Sequence, residues 1–425
     1  MTDHKEIAEK LLHFLDQSPT CFHAVWNMKE KLQDAGFQKL REDERWRLAP
    51  GGKYFVTRNG SALIAFILPK DGDAARGYRI IASHSDSPCF KIKENPEIVV
   101  ENQMVKLNVE GYGGMILSSW LDRPLSVAGR VIVKEDGAYV SKLIHIDRDL
   151  LMIPNLAIHM NREVNKGYAY NRQTDMLPLL GGIESKDQFM ALIQHAAETE
   201  EEILGHDLYL YNRQKGIIFG ANDEFIASGR LDDLQCGFAS LEALLSVDNP
   251  AYIAVHCVLD NEEVGSGTKQ GAASTFLKDT LQRINFALGG DEEDYRVSVA
   301  RSFMISADNA HAVHPNHPEK TDPTNKLYLN GGVVIKTNAD QKYCTDGVSA
   351  AMFKDLCQAA EVPVQTFVNR SDMAGGSTLG NISTSQVAVN AVDVGLPQLA
   401  MHSAYETAGV KDTADFIAVA EKFFG

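Results

Sequence analysis

The sequence has no CxxC pair, no GxGxxG or phosphate-loop lysine motif, and no apolar run approaching the ~18 residues a membrane span requires. Each absence removes a class of protein. The six cysteines, Cys21, Cys89, Cys236, Cys257, Cys344 and Cys357, are scattered through 425 residues. That spread disfavours a disulfide framework or a thiolate zinc site and fits a reducing cytoplasm. The opening MTDHKEIAEK lacks the charged-then-apolar pattern of a secretory signal. Basic side chains are outnumbered, 41 against 57 acidic, for a formal net charge of −16. Such a field repels phosphate backbones and anionic lipid, so neither nucleic acid nor a membrane surface is an expected partner.

What is present is an ordinary globular balance, 44% hydrophobic and 23% charged, in a chain long enough for two domains. Two amphipathic helices open it, the first with Ile7, Leu11, Leu12 and Leu15 on one face, the second with Val25, Met28 and Leu32 before a stop at Gly36. Strand-like runs come next at 53–58, 62–68 and 78–83, then at 251–259, 302–307, 386–392 and 397–401, with helical stretches at 234–247 and 348–360 between them. This alternation predicts an α/β fold around an open, mixed or parallel sheet flanked by helices. From about 97 to 225 the pattern changes to short alternating segments, with a hairpin signal at Asp136-Gly137. We therefore expect a mostly β insert at 97–225 within a discontinuous domain of 1–96 plus 226–425. The acidic runs at 198–202 and 291–294 read as solvated surface.

Chemistry-bearing residues gather after the strands. His84 and Asp86 come after YRIIAS, Asp260, Asn261, Glu262 and Glu263 after AYIAVHCVL, Asp308 after SFMISA, and His402 after PQLAM. In open α/β sheets the site forms beyond the carboxyl ends of the strands, so these residues are expected to share one edge. A further carboxylate, Asp232, precedes the helix near Leu234, where it can also serve as an N-cap. Singly, each has an ordinary structural explanation as a turn, cap or surface residue. Together, two imidazoles and three carboxylates form a donor set suited to zinc, manganese or cobalt. Five ligands exceed what one catalytic zinc takes, and fit two metals sharing a carboxylate. His256, inside an apolar strand, reads as a packed core imidazole.

The segments SHSDSP (83–88), GRLDDL (229–234), DNEEVGS (260–266), SADNAHAVHPN (306–316) and QLAMHS (398–403) occur in this order, with NLAIHMNR (155–162) and IKTNADQKY (335–343) between them. In these motifs the chain resembles the M18 family of metallo-aminopeptidases, the aspartyl aminopeptidase family, and its bacterial branch most closely. The resemblance implies a zinc-peptidase-like sheet with an inserted dimerisation domain, and a cytoplasmic enzyme that trims unblocked peptides, with a preference for acidic N-terminal residues. It implies two divalent ions per subunit, zinc with manganese or cobalt as alternatives. One would be held by His84, Asp232 and Asp308, the other by Asp232, Glu263 and His402. Asp86 would orient His84 and Glu262 would be the general base. His159, His311, Lys336 and Tyr343, with Glu262 and Asp308, would meet substrate. His159 is open to a metal-ligand reading on motif grounds, but its place in the insert favours substrate contact across a subunit boundary. A homo-oligomer, typically a dodecamer, is implied too. Asp233 stands where better-known members carry Asn. Rival readings are another co-catalytic amidase, a deacylase or dipeptidase, and a non-catalytic assembly protein stabilised by metals. Glu262 speaks against the last, because a purely structural site needs no base.

Overall fold

A computed structural model describes residues 4–425. Its backbone is a nine-stranded mixed sheet whose strands run, in spatial order, Gln38–Lys39, Lys53–Arg58, Ala62–Ile67, Ile253–Leu259, Tyr78–His84, Phe303–Ala307, Asn390–Gly395, Val333–Lys336 and Val364–Phe367. The four strands in the middle, Ile253–Leu259, Tyr78–His84, Phe303–Ala307 and Asn390–Gly395, are mutually parallel. Every residue of Ile253–Leu259 is buried, as expected of a parallel strand covered by helices on both faces. One face packs on the helices His4–Asp16, Cys21–Asp34, Leu231–Ser246, Gly347–Ala359 and Asp412–Phe424, the other on Phe276–Ala287, Glu292–Arg301 and Leu379–Gln386. The expected α/β architecture is therefore observed.

A second, antiparallel sheet of six strands is built from residues 89–212 and closes its own core around Phe90, Trp120, Leu208 and Phe189. Its hairpin joins Leu125–Glu135 to Ala138–His145 through Asp136 and Gly137, both at positive φ, the conformation that a tight two-residue turn demands. A third sheet of five short strands includes Phe225–Ser228, Glu406–Gly409 and Pro397–Leu399 and supports the edge where the central strands end.

One local expectation is corrected. The run 386–392 splits, since helix Leu379–Gln386 takes Gln386 and the strand begins at Asn390, where pairing with Phe303 starts. Val387 and Val389 are buried at the junction, which a hydrophobic run alone cannot distinguish from a strand. The acidic run at 291–294 is largely exposed, as expected, and also starts a helix, in which Asp291 accepts the Glu293 and Asp294 amides while Asp294 accepts the Asp291 amide in return.

His256 lies in the core with Nδ1 2.8 Å from Ser240 Oγ, and burial lowers its pKa from 6.5 to about 3. The unfolded chain binds a proton that this folded imidazole refuses, so its contribution is intact above pH 6.5 and lost as pH falls towards 3. Urea denaturation should show stability dropping by about 2 kcal/mol from this group between roughly pH 6.5 and 5. His256→Gln should flatten that slope, and an unchanged slope would contradict the assignment.

Candidate metal centre

The parallel strands deliver their polar residues to one edge. His84 ends its strand, the Ile253–Leu259 strand runs into Asp260 through Glu263, Asp308 comes directly after Phe303–Ala307, and His402 lies just beyond the short strand Pro397–Leu399. Gly395 lets its strand pass directly under the carbonyl of Asp308, where any Cβ would collide. Arg230, Asn261 and His402 all take left-handed backbone, unusual for non-glycine residues and typical of sites whose geometry is imposed by their surroundings.

Asp232 stands at the centre. It does not cap its helix: the N-cap position is Arg230, and helical geometry is broken at Asp232 and Asp233, whose connecting peptide is cis. Its two oxygens face different histidines, Oδ1 at 3.4 Å from His84 Nε2 and Oδ2 at 3.3 Å from His402 Nε2. His84 Nε2 also lies 3.9 Å from Asp308 Oδ1, and His402 Nε2 lies 3.4 Å from Glu263 Oε2. Two three-donor groups capable of holding a metal result, His84–Asp232–Glu263 and His84–Asp233–Asp308, each with its ligand atoms within 4.8 Å of one another. His159 belongs to neither. Buried Asp232 Oδ1, Asp233 Oδ1 and Glu263 Oε1 have no hydrogen-bond donor among the described residues. Anionic oxygens sealed from water and left without donors are what a divalent cation satisfies, and imidazole with carboxylate is the donor chemistry such ions take, so these residues fit the metal pair.

Burial and mutual repulsion dominate the electrostatics of the cluster. Burial pushes Glu263 and Asp233 up, aided by neighbouring carboxylates, while His84 opposes both rises and His402 opposes that of Glu263. Burial pushes Glu262 to about 8, helped by Asp308, Asp86 and Asp232 and opposed by His84. Desolvation works against the charged forms of His84 and His402, but the attraction of Asp232 and the surrounding acids outweighs it, and His402 rises to about 10. A carboxyl beside such a cluster is placed to exchange a proton with a molecule bound there.

The supports around the cluster are as ordered as the donors. His84 Nδ1 lies 3.0 Å from the carbonyl of Asp86, which leaves Nε2 facing the site. The Asp86 carboxylate accepts the amides of Glu262 and Glu263 and the hydroxyl of Tyr112, the last at 2.7 Å. Glu406 accepts the amides of Asp232 and His402, and His402 Nδ1 lies 3.0 Å from the carbonyl of Gly114. Sequence reasoning missed Tyr112, Glu406 and Gly114. Glu406 falls four residues after His402, a weak signal, and Tyr112 and Gly114 come from the inserted β region, with no local signal at all.

Lys336 is buried with Nζ 3.4 Å from Asp308 Oδ2 and 5.6 Å from the Tyr343 ring centre. His311 reaches the same wall through Phe367, at 6.0 Å between ring centres. His159 lies elsewhere, exposed in the stretch 154–172 and without a side-chain hydrogen bond or ion pair among the described residues.

A buried imidazole–carboxylate cluster beyond the carboxyl ends of a parallel sheet, with a carboxyl group poised beside it, defines a metallohydrolase centre. The profile described as "Aminopeptidase I zinc metalloprotease (M18)" matches residues 14–424, and the chain belongs to the M18 family of metallo-aminopeptidases. It is 49% identical over 419 residues to a probable M18 family aminopeptidase 2 of Clostridium acetobutylicum, covering 97% of each chain. It superposes with a TM-score of 0.95 at 37% identity on the chain solved by cryo-EM in an Ape4–Nbr1 complex, covering 99% of this chain and 86% of that one. The Saccharomyces cerevisiae mApe1 dodecamer structure matches at a TM-score of 0.85 and 28% identity, over 99% and 96% of the two chains. No described helix is long and apolar enough to cross a membrane.

Asp86→Asn keeps the size of the side chain but replaces one of the oxygens that meet two amides and a phenol with a donor. Divalent-ion affinity, measured by chelator competition, should fall roughly 10–100-fold. Unchanged affinity would show that Asp86 does not position the ligands.

Proposed function

We propose that this protein is a di-metal aminopeptidase that removes the N-terminal residue from unblocked peptides, with a preference for Asp and Glu. The observation that carries the reading is the placement of Asp232, with one oxygen towards each histidine and Glu262 alongside. His84, Asp232 and Asp308 would hold one ion, and Asp232, Glu263 and His402 the other. Zinc suits these donors, and manganese and cobalt are also accepted by such a set. When bound, the ions supply Lewis acidity that polarises the scissile carbonyl and acidifies a water. Glu262 accepts the proton of the attacking water and passes it to the leaving amine. Asp86 and Glu406 hold the ligand backbone still through those steps. The six cysteines are all free thiols, which supports a cytoplasmic setting.

Glu262→Gln should lower kcat on an unblocked peptide by roughly 10²–10⁴-fold while metal content per chain stays the same. Full activity in that variant would remove the proposed base, and loss of activity with metals retained would exclude a purely structural role.

Lys336 supplies the acidic preference in this reading. A buried ammonium beside Tyr343 gives an acidic side chain an attractive cation on a wall otherwise rimmed by carboxylates. Lys336→Met should reduce kcat/KM for acidic N-terminal residues far more than for neutral ones. An equal loss for both would contradict a specificity role.

His159 acts from a neighbouring subunit in this reading, within an assembly like the mApe1 dodecamer. Its exposure supports this, with Leu156, Ile158 and Met160 also open to solvent beside it, the last at 74%. Such apolar side chains mark a surface that another chain covers. His159→Ala and Glu262→Gln subunits should each be nearly inactive, and mixed assemblies should partly recover activity. Mixtures no more active than the separate variants would place His159 over its own site.

A further inference from the structure

Outside the metal centre, the most unusual chemistry lines an internal cavity between the six-stranded sheet and the carboxyl edge of the central sheet. Glu262, Glu263, Asp308 and His402 are not among its lining residues, so it is separate from the site that holds the metals. The space that the centre of a water-sized sphere can reach is about 50 Å³. At roughly 10–15 Å³ for each water, that is room for about four waters, or for one molecule of glycine or alanine size.

The walls carry donors with no acceptor. Arg230 gives one hydrogen bond, from Nη2 to the carbonyl of Leu15 at 2.9 Å, and pairs with no carboxylate among the described residues. Its Nε is buried and unpartnered, as is Trp120 Nε1 on the same cavity. The Tyr209 hydroxyl, also at the cavity, makes no hydrogen bond among the described residues. Asp16 and Glu406 act on this cation from a distance, but a buried guanidinium with no carboxylate in contact and idle donors around it is costly unless an acceptor arrives. Two carboxylates, Asp86 and Glu406, belong to the same lining. Each already accepts backbone amides, but carboxylate oxygens have lone pairs left for another donor. The cavity thus offers a place for one negative and one positive group.

We propose that this cavity binds a small zwitterionic amino acid, its carboxylate on Arg230, Trp120 and Tyr209 and its ammonium towards Asp86 and Glu406. Recognition rests on the cavity alone. That free amino acids are the products of this enzyme rests on the function proposed above, and binding is measured apart from hydrolysis, so the two readings fail separately. The occupant would sit against the two carboxylates whose bonds hold the backbone of Asp232, Glu262, Glu263 and His402.

The test is calorimetric titration of the metal-loaded protein with glycine and with L-alanine, alongside propionate and propylamine, which carry one charge each. Saturable binding of glycine or alanine is expected. It should weaken roughly tenfold or more in Arg230→Gln and in Trp120→Phe, and propionate and propylamine should bind correspondingly worse. Trp120→Phe keeps an aromatic ring in place and carries the test should Arg230→Gln fail to fold. Binding unaffected by the variants would locate the amino acid at the metals, and propionate binding as well as alanine would remove the ammonium end. No binding at all would leave the cavity to ordered water. Any of these three results overturns the proposal.

Discussion

The structure depends on holding several carboxylates and the imidazole of His84 out of water, with that of His402 beside them, at the edge where the central parallel strands end. Burial raises the pKa of a carboxyl and neighbouring carboxylates add to the rise, and here Glu262, Glu263 and Asp233 are all pushed upward. A core would not accumulate such groups for stability, since burying an unpaired charge is destabilising. Divalent cations reverse the sign of the interaction, turning mutual repulsion into shared coordination. The cluster is therefore best understood as a fold that is electrostatically incomplete by itself.

The rest of the architecture keeps this cluster in place. The central strands fix where the donors begin, and backbone amides fix where they point. Asp86 and Glu406 each take two amides from residues of the site, so distant parts of the chain are tied to two buried carboxylates. Tyr112 and Gly114 extend the same scaffold into the inserted β region through Asp86 and His402. The inserted sheet therefore touches the chemistry from behind.

Much of this is legible in the sequence, for physical reasons. Strands buried on both faces read as apolar runs, and the residues just past each run fall at the carboxyl edge, so the sequence alone groups His84, Glu263, Asp308 and His402. The hairpin at Asp136-Gly137 is equally plain, because few dipeptides tolerate two positive φ values. Asp232 is ambiguous, since a carboxylate ahead of a helix looks like a cap, and only the broken helical geometry separates the two roles. Tyr112 and Glu406 are not legible. Their contacts join residues far apart in sequence or act on backbone amides, which leave no mark on composition or periodicity. The acidic run at Asp291 is the exposed surface it reads as, and its second role as a capping box is hidden because both use the same residues.

The central claim is that Asp232 joins two cations in one site. The most direct measurement is the divalent-metal content per chain of the purified protein and of Asp232→Asn, determined by elemental analysis on folded material. The account expects two ions per chain in the unaltered protein and a loss from both positions in the variant, because each position would lose a ligand. A variant that keeps one ion at full affinity, or an unaltered protein that saturates with a single ion, would contradict it.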